Sequence, residues 1–281
     1  TRELALWTRN PEEAVFEYEE MFDERCYGPL QDEDDPGVYW GLSPAGAEQG
    51  SQVVVVDAGM NLGLFGVYLQ RRICGPGARR VLCLAFEPAP ESYRLAVQNL
   101  RDAGIHVLDH GAHLPDVNEV SHRAPAPSDG GAAPDLVVHA FQMALGSEGA
   151  GAKASFRFFP ESSANSALVR HKPEGKWHED AVPANVELEV PCCRLSEALA
   201  AVLGPREEAA VNDQAGAGRP QIFLKVDVEG AEVEVLRGMD AQDWSMVDGV
   251  AVEVQGEVHL EEVRRLCAGA GLGGEGEERG L

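Results

Sequence analysis

Residues 53–63 constrain this chain more than any other stretch. Four consecutive valines, Val53, Val54, Val55 and Val56, run into Asp57, Ala58, Gly59, Met60, Asn61, Leu62 and Gly63. β-Branched residues without polar alternation suit a strand buried on both faces, as in a parallel sheet. The spaced glycines supply a tight turn, and the apolar segment behind them opens a helix. Strand, turn and helix in this order begin a nucleotide-binding α/β domain. The acid then separates the candidate ligands. A pyrophosphate is held by backbone N–H groups at a helix N-terminus, and a carboxylate at Asp57 would repel it.

The rest of the chain repeats the alternation. Apolar strands are expected at 81–86, 136–145, 222–226 and 247–254, with helices at 62–72, 90–102, 195–203, 232–236 and 258–267. Such an order gives an α/β fold with a doubly wound, mostly parallel sheet and right-handed crossovers. Residues 154–159 and 186–190 alternate apolar and polar side chains, as half-buried strands do. They are expected to pair antiparallel, inserted after the third strand. An amphipathic helix at 11–22 precedes the domain, and Val38, Tyr39 and Trp40 suggest a short strand. The domain proper is expected over 51–272, behind an N-terminal acidic flank at 1–50. Aperiodic stretches at 109–134 and 204–220 read as surface insertions, and 273–281 as a polar tail.

Charge narrows the partners. With 23 basic and 47 acidic residues the formal net charge is −24. Eleven acids and one base, Arg25, lie between positions 12 and 35. This balance argues against nucleic acid or an anionic membrane surface, both of which select basic patches. No apolar run approaches the roughly 18–20 residues of a membrane helix. The six cysteines, Cys26, Cys74, Cys83, Cys192, Cys193 and Cys267, contain no C-x-x-C pair. Free thiols in a reducing compartment, hence a cytoplasmic protein, are expected. Cys and His show no metal-ligand spacing, so no metal is assigned.

Four groups of residues carry the chemistry. Asp57, Gly59, Asn61 and Gly63 form the first: the glycines permit close backbone approach, and Asp57 and Asn61 can order an ammonium and a carboxylate, directly or through water. Glu87 ends the second strand, 24 residues after Gly63, where a carboxylate accepts hydrogen bonds from a ribose diol. Met143 and Ala144 stand at the end of the third strand, at the place of an adenine ring. The fourth group is Lys225, Val226, Asp227, Val228, Glu229, Gly230, Ala231 and Glu232. Ligands of open α/β sheets sit at the carboxyl ends of strands, which puts Asp227 and Glu229 beside a second substrate, as general base or anchor. Lys225 is expected to pair with one of them, because an unpaired buried charge is costly. A ligand with an ammonium, a sulfonium and a ribose diol but no phosphate answers to this set, and S-adenosylmethionine (SAM) is such a ligand.

The ordered set of Asp57 to Gly63, Phe86-Glu87-Pro88, Ala144-Leu145-Gly146 and Lys225 to Glu232, followed by Leu236-Arg237-Gly238, resembles the FkbM family of SAM-dependent methyltransferases. The likeness covers about residues 14–256. It implies methyl transfer from SAM, usually to a hydroxyl oxygen of a sugar, polyketide or similar small molecule. Three departures stand out. Met60 takes the place of a usual Ala, two insertions interrupt the core, and the chain stops soon after the helix at 258–267. Class I methyltransferases normally add an antiparallel edge hairpin there, so that hairpin is expected to be missing and the sheet edge exposed. The alternative is a SAM-binding protein without catalysis on a truncated fold, recruiting partners through the acidic flank.

Overall fold

The computed structural model describes residues 5–23, 52–74, 80–116, 135–160, 163–169, 184–204, 220–254 and 256–272. The strand expected at 38–40, the bodies of both insertions, the polar tail and Cys26 lie outside them.

Six strands form one parallel sheet: β1 (Val53–Ala58), β2 (Val81–Phe86), β3 (His106–Gly111), β4 (Leu136–Phe141), β9 (Gln221–Val226) and β10 (Val247–Val252). Their order is β10-β9-β1-β2-β4-β3. The four valines fill β1 at the centre of the sheet, every residue of which is buried. Alternate side chains serve opposite faces. Val53 and Val55 pack with α2 (Leu64–Arg72) and α3 (Pro90–Asp102), whereas Val54 and Val56 pack with α4 (Leu195–Leu203), α5 (Glu232–Arg237) and α7 (Glu257–Gly269). The short α6 (Ala241–Trp244) precedes β10. Pro90 at the first position of α3, with Glu91 in the first turn, favours that helix start. The chain leaves β1 for β2 on one side and returns to β9 on the other, so the sheet reverses between β1 and β9. A crevice opens at such a point.

The antiparallel pair is present. β6 (Ala152–Phe158) runs against β8 (Val186–Cys193), and with β5 (Ala144–Leu145) and β7 (Ala167–Leu168) makes a second sheet in the order β5-β8-β6-β7. The strand expected at 136–145 is therefore two strands in different sheets, broken at Gln142 and Met143. Nothing in the pattern of His106, Asp109 and His110 signals β3, which runs into the first residues of the stretch 109–134. Its rings find partners across the sheet: His110 Nε2 lies 2.9 Å from His139 Nδ1, and His110 stacks on Phe141 at 4.8 Å. Among the described residues β3 and β10 are the sheet edges.

The N-terminal helix α1 (Pro11–Tyr18) is capped by Asn10, whose side chain accepts from the N–H groups of Glu12 and Glu13. A π-helical turn, Glu19–Asp23, continues it. This segment is pinned at both ends. Trp7 and Asn99 exchange hydrogen bonds of 2.6 and 3.0 Å, Arg9 pairs with Glu91, and Met21 and Phe22 are buried, Phe22 edge-on to Tyr68 at 5.5 Å. No helix among the described residues is long and apolar enough to cross a membrane. Cys74, Cys83, Cys192, Cys193 and Cys267 carry free thiols.

Candidate active site

A cavity of about 320 Å³ opens at the carboxyl ends of β1, β2, β9 and β10. That is within the usual size range of small-molecule sites, about 300–1,000 Å³. Gly59, Asn61, Glu87, Met143, Ala144, Asp227 and Glu229 all line it. The fold thus brings together seven residues drawn from four separate stretches of sequence.

Asp57 and Gly63, also named from the sequence, are not in the wall. Asp57 is 1% exposed, and its carboxylate meets Lys225 Nζ at 3.1 Å. Burial pushes the Asp57 carboxyl up, and the Lys225 ammonium opposes this. Lys225 also donates to the Gly59 carbonyl at 2.7 Å, lies 3.5 Å from Asp227, and sits 5.9 Å over the Phe65 ring. The expected pairing of Lys225 thus holds for Asp227, with Asp57 the nearer partner. Gly63 caps α2 at φ +80°, and a Cβ there would press on Ala96 and Leu100 of α3 at 3.2 Å. Its small size serves helix packing. Gly59 has φ +88°, and a Cβ would fall 1.8 Å from the Asp227 carbonyl oxygen. Only glycine lets the loops after β1 and β9 touch, and the Asp227 N–H seals them by donating to the Ala58 carbonyl at 3.0 Å.

Glu87 is held by two backbone donors. Its two oxygens accept from the N–H groups of Asn61 at 3.0 Å and Ala89 at 2.9 Å, one each. Each oxygen keeps further acceptor capacity. Burial raises its pKa to about 7 against the lowering effect of those two bonds. Asn61 is a left-handed non-glycine residue with φ +42°. Its amide donates to Glu17 and accepts from Ser163 Oγ at 2.9 Å.

On the other side, oxygen atoms of Asp227, Glu229 and Glu253 lie within 4.8 Å of one another, close enough to face a common cation. Glu229 also takes a positive φ of +55°, next to Gly230 at +103°. The turn folds the Glu229 side chain back toward Asp227, two residues earlier. Burial, then the neighbouring Asp227 and Glu229, raises Glu253 to about 8.

Several wall residues were not singled out from the sequence. Phe16, Glu17, Glu20 and Met21 come from α1 and its π-helical turn, and Glu253 from the end of β10; Ser163 and Ser166, from the serine-rich loop that the sequence places between the two alternating strands, line the wall as well. Glu17 is raised to about 8, first by burial and then by Glu13 and Asp227. Glu253 carries a signal that could have found it: Asp57, Glu87, Asp227 and Glu253 each stand at or just after the end of an apolar strand of the parallel sheet.

Comparison with known proteins agrees with this geometry. The family model described as "Methyltransferase FkbM domain" matches residues 57–270. "Methyltransferase sdnD" of Sordaria araneosa is 30% identical over 267 residues, covering 89% of this chain and 78% of that protein. "Methyltransferase 1" of Beauveria bassiana (strain ARSEF 2860) is 28% identical over 250 residues, covering 86% and 74%. "31-O-demethyl-FK506 methyltransferase FkbM" of Streptomyces tacrolimicus is 27% identical over 281 residues, covering 94% and 83%. No solved structure matches.

Proposed function

The chain belongs to the FkbM methyltransferase family, and from that premise we propose that it moves a methyl group from SAM to a hydroxyl oxygen of a small molecule. One observation carries the reading. A single cavity joins Asn61 and Glu87, at the ends of β1 and β2, to Asp227 and Glu229, at the end of β9. The first pair offers acceptors for a polar nucleoside, and the second offers carboxylates to another substrate.

The residues present fit SAM. Glu87 has one acceptor site per oxygen for a ribose diol, and its backbone donors fix it in that pose. Met143 and Ala144 give an apolar wall for adenine. Gly59 and Asn61 stand along the path of the methionine part. When bound, SAM supplies an electrophilic methyl on a sulfonium that leaves as a neutral thioether. Asp227 and Glu229 orient the acceptor hydroxyl in line with that methyl and accept its proton as the C–O bond forms. Positioning of this kind supplies a large part of the rate.

The name of one relative, a 31-O-demethyl-FK506 methyltransferase, refers to transfer to oxygen; the same bond is proposed for this chain. The test is incubation with SAM and a metabolite extract, followed by mass spectrometry. A product heavier by one CH₂ on a hydroxyl-bearing compound supports the reading. SAM binding with no product in any extract would instead favour a binding protein without catalysis.

A further inference from the structure

We propose that Glu17, on the N-terminal helix, is the carboxylate that receives the ammonium group of the methyl donor. The proposal rests on the SAM reading above and assigns one contact within it.

The sequence nominates Asp57 for that contact, and the fold withdraws it. Asp57 lies beneath the cavity floor, 1% exposed, facing the Lys225 ammonium. A second cation could reach it only by displacing Lys225, whose own side chain is 4% exposed. The ammonium of a ligand lying along Gly59 and Asn61 therefore needs another carboxylate.

Glu17 is in the right place. It lines the cavity, and its Oε1 accepts a hydrogen bond from the Asn61 side-chain amide. The backbone N–H of the same Asn61 donates to Glu87. One residue thus links the carboxylate proposed for the ribose to Glu17, matching a ligand in which the amino-acid part and the ribose are neighbours. Of the other wall acids, Asp227, Glu229 and Glu253 gather at the ends of β9 and β10, on the acceptor side, and Glu20, in the π-helical turn after Glu17, acts on both Glu17 and Glu253.

The position is built into the fold. α1 is fixed before Glu17 by Trp7 and Arg9 on α3, and after it by Met21 and Phe22 in the core. The Asn61 amide is itself oriented by Ser163. Burial together with Glu13 and Asp227 disfavours the ionised form of Glu17 in the empty cavity, and a cation against it would reverse that balance. Lys225 opposes the effect of burial only in part, so Glu17 is a carboxylate that a ligand's cation would still favour in its ionised form.

The experiment compares two ligands on two proteins. S-adenosylhomocysteine carries the ammonium. 5′-Methylthioadenosine has the same nucleoside and lacks the amino-acid part. Both are titrated into the parent and into Glu17→Gln, which keeps the oxygen that Asn61 bonds. Expected is a loss of about 10–100-fold for S-adenosylhomocysteine with methylthioadenosine unchanged. The ligand-free melting temperature should stay level near neutral pH, where burial already favours the uncharged form of Glu17. Unchanged S-adenosylhomocysteine affinity, or an equal loss for both ligands, overturns the proposal. Should Glu17→Gln fail to fold, the parent and Glu17→Asp decide: methylthioadenosine binding the parent as tightly as S-adenosylhomocysteine, or a preference for the latter that persists undiminished in Glu17→Asp, overturns the proposal, and a large preference that shrinks in Glu17→Asp supports it. A parent that binds neither ligand overturns the SAM reading itself.

Discussion

Asp57 and Lys225 are register partners on adjacent parallel strands, and their side chains meet at 3.1 Å with 1% and 4% of their surfaces exposed. The ion pair ties the centre of the sheet to both cavity loops, because the same ammonium holds the Gly59 carbonyl and faces Asp227. Removing one partner strands a buried charge, whereas removing both does not. Lys225→Met is expected to lower stability by about 3–5 kcal/mol. Asp57→Asn combined with Lys225→Met should lose clearly less. Urea unfolding of the three proteins measures this, and a double variant as unstable as the single one would show that the pair is not the cause.

Glu87→Ala removes the acceptor for two backbone N–H groups and, on the present account, for the ribose. SAM affinity should fall by about 1–3 kcal/mol. Calorimetric titration gives the value directly, and unchanged affinity would place the ribose elsewhere.

Stability should depend on pH in an unusual direction. Glu17, Glu87 and Glu253 are raised in the folded protein from 4.5 to about 8, 7 and 8, chiefly by burial. Between these values the folded state binds more protons than the unfolded chain, so this contribution is full below about pH 4.5 and is lost as pH rises toward 8. His139 works the other way. Burial lowers it from 6.5 to about 4, so the folded state binds fewer protons and stability falls as pH drops through that interval. Above about pH 6.5 only the carboxylates act. The ligand-free protein should therefore melt at a lower temperature at pH 8 than at pH 6.5, and Glu17→Gln should reduce the difference. A melting temperature that rises over this interval would contradict the assignment.

Much of this arrangement was legible in the sequence, for a physical reason. A strand buried on both faces must be continuously apolar, so an acid at its end stands out; Asp57, Glu87 and Asp227 are visible that way. What a side chain meets at the end of its strand is not visible. Asp57 and Lys225 read as candidates for ligand and for Asp227, yet register sets them against each other. Gly63 reads as a loop glycine approaching a ligand and instead accommodates α3. The apolar positions of α1 reveal an amphipathic helix but not what it covers, since its contacts lie tens of residues away. Trp7 reaches Asn99, 92 positions on. β3 escaped notice because its polar residues find partners far along the chain or on another element, His110 in His139 of β4 and Asp109 in Tyr93 and Arg101 of α3.

Asp227 and Glu229 are expected to serve the acceptor and not the cofactor. Asp227→Asn and Glu229→Gln should leave SAM affinity nearly intact while turnover falls by about 10²–10⁴-fold, the usual cost of losing a general base. The larger effect is expected at Asp227, which directly follows β9 and faces Lys225 at 3.5 Å. Steady-state kinetics beside binding titrations separates the two quantities. Full turnover in both variants would move the acceptor site toward Ser163 and Ser166.

Calorimetric titration of the protein with SAM and with NAD decides whether the cavity beside Glu87 is a SAM site. One SAM should bind per chain, more weakly in Glu87→Ala, and NAD should not bind, because its pyrophosphate meets a wall of carboxylates. Tight NAD binding with no heat from SAM would contradict the SAM assignment.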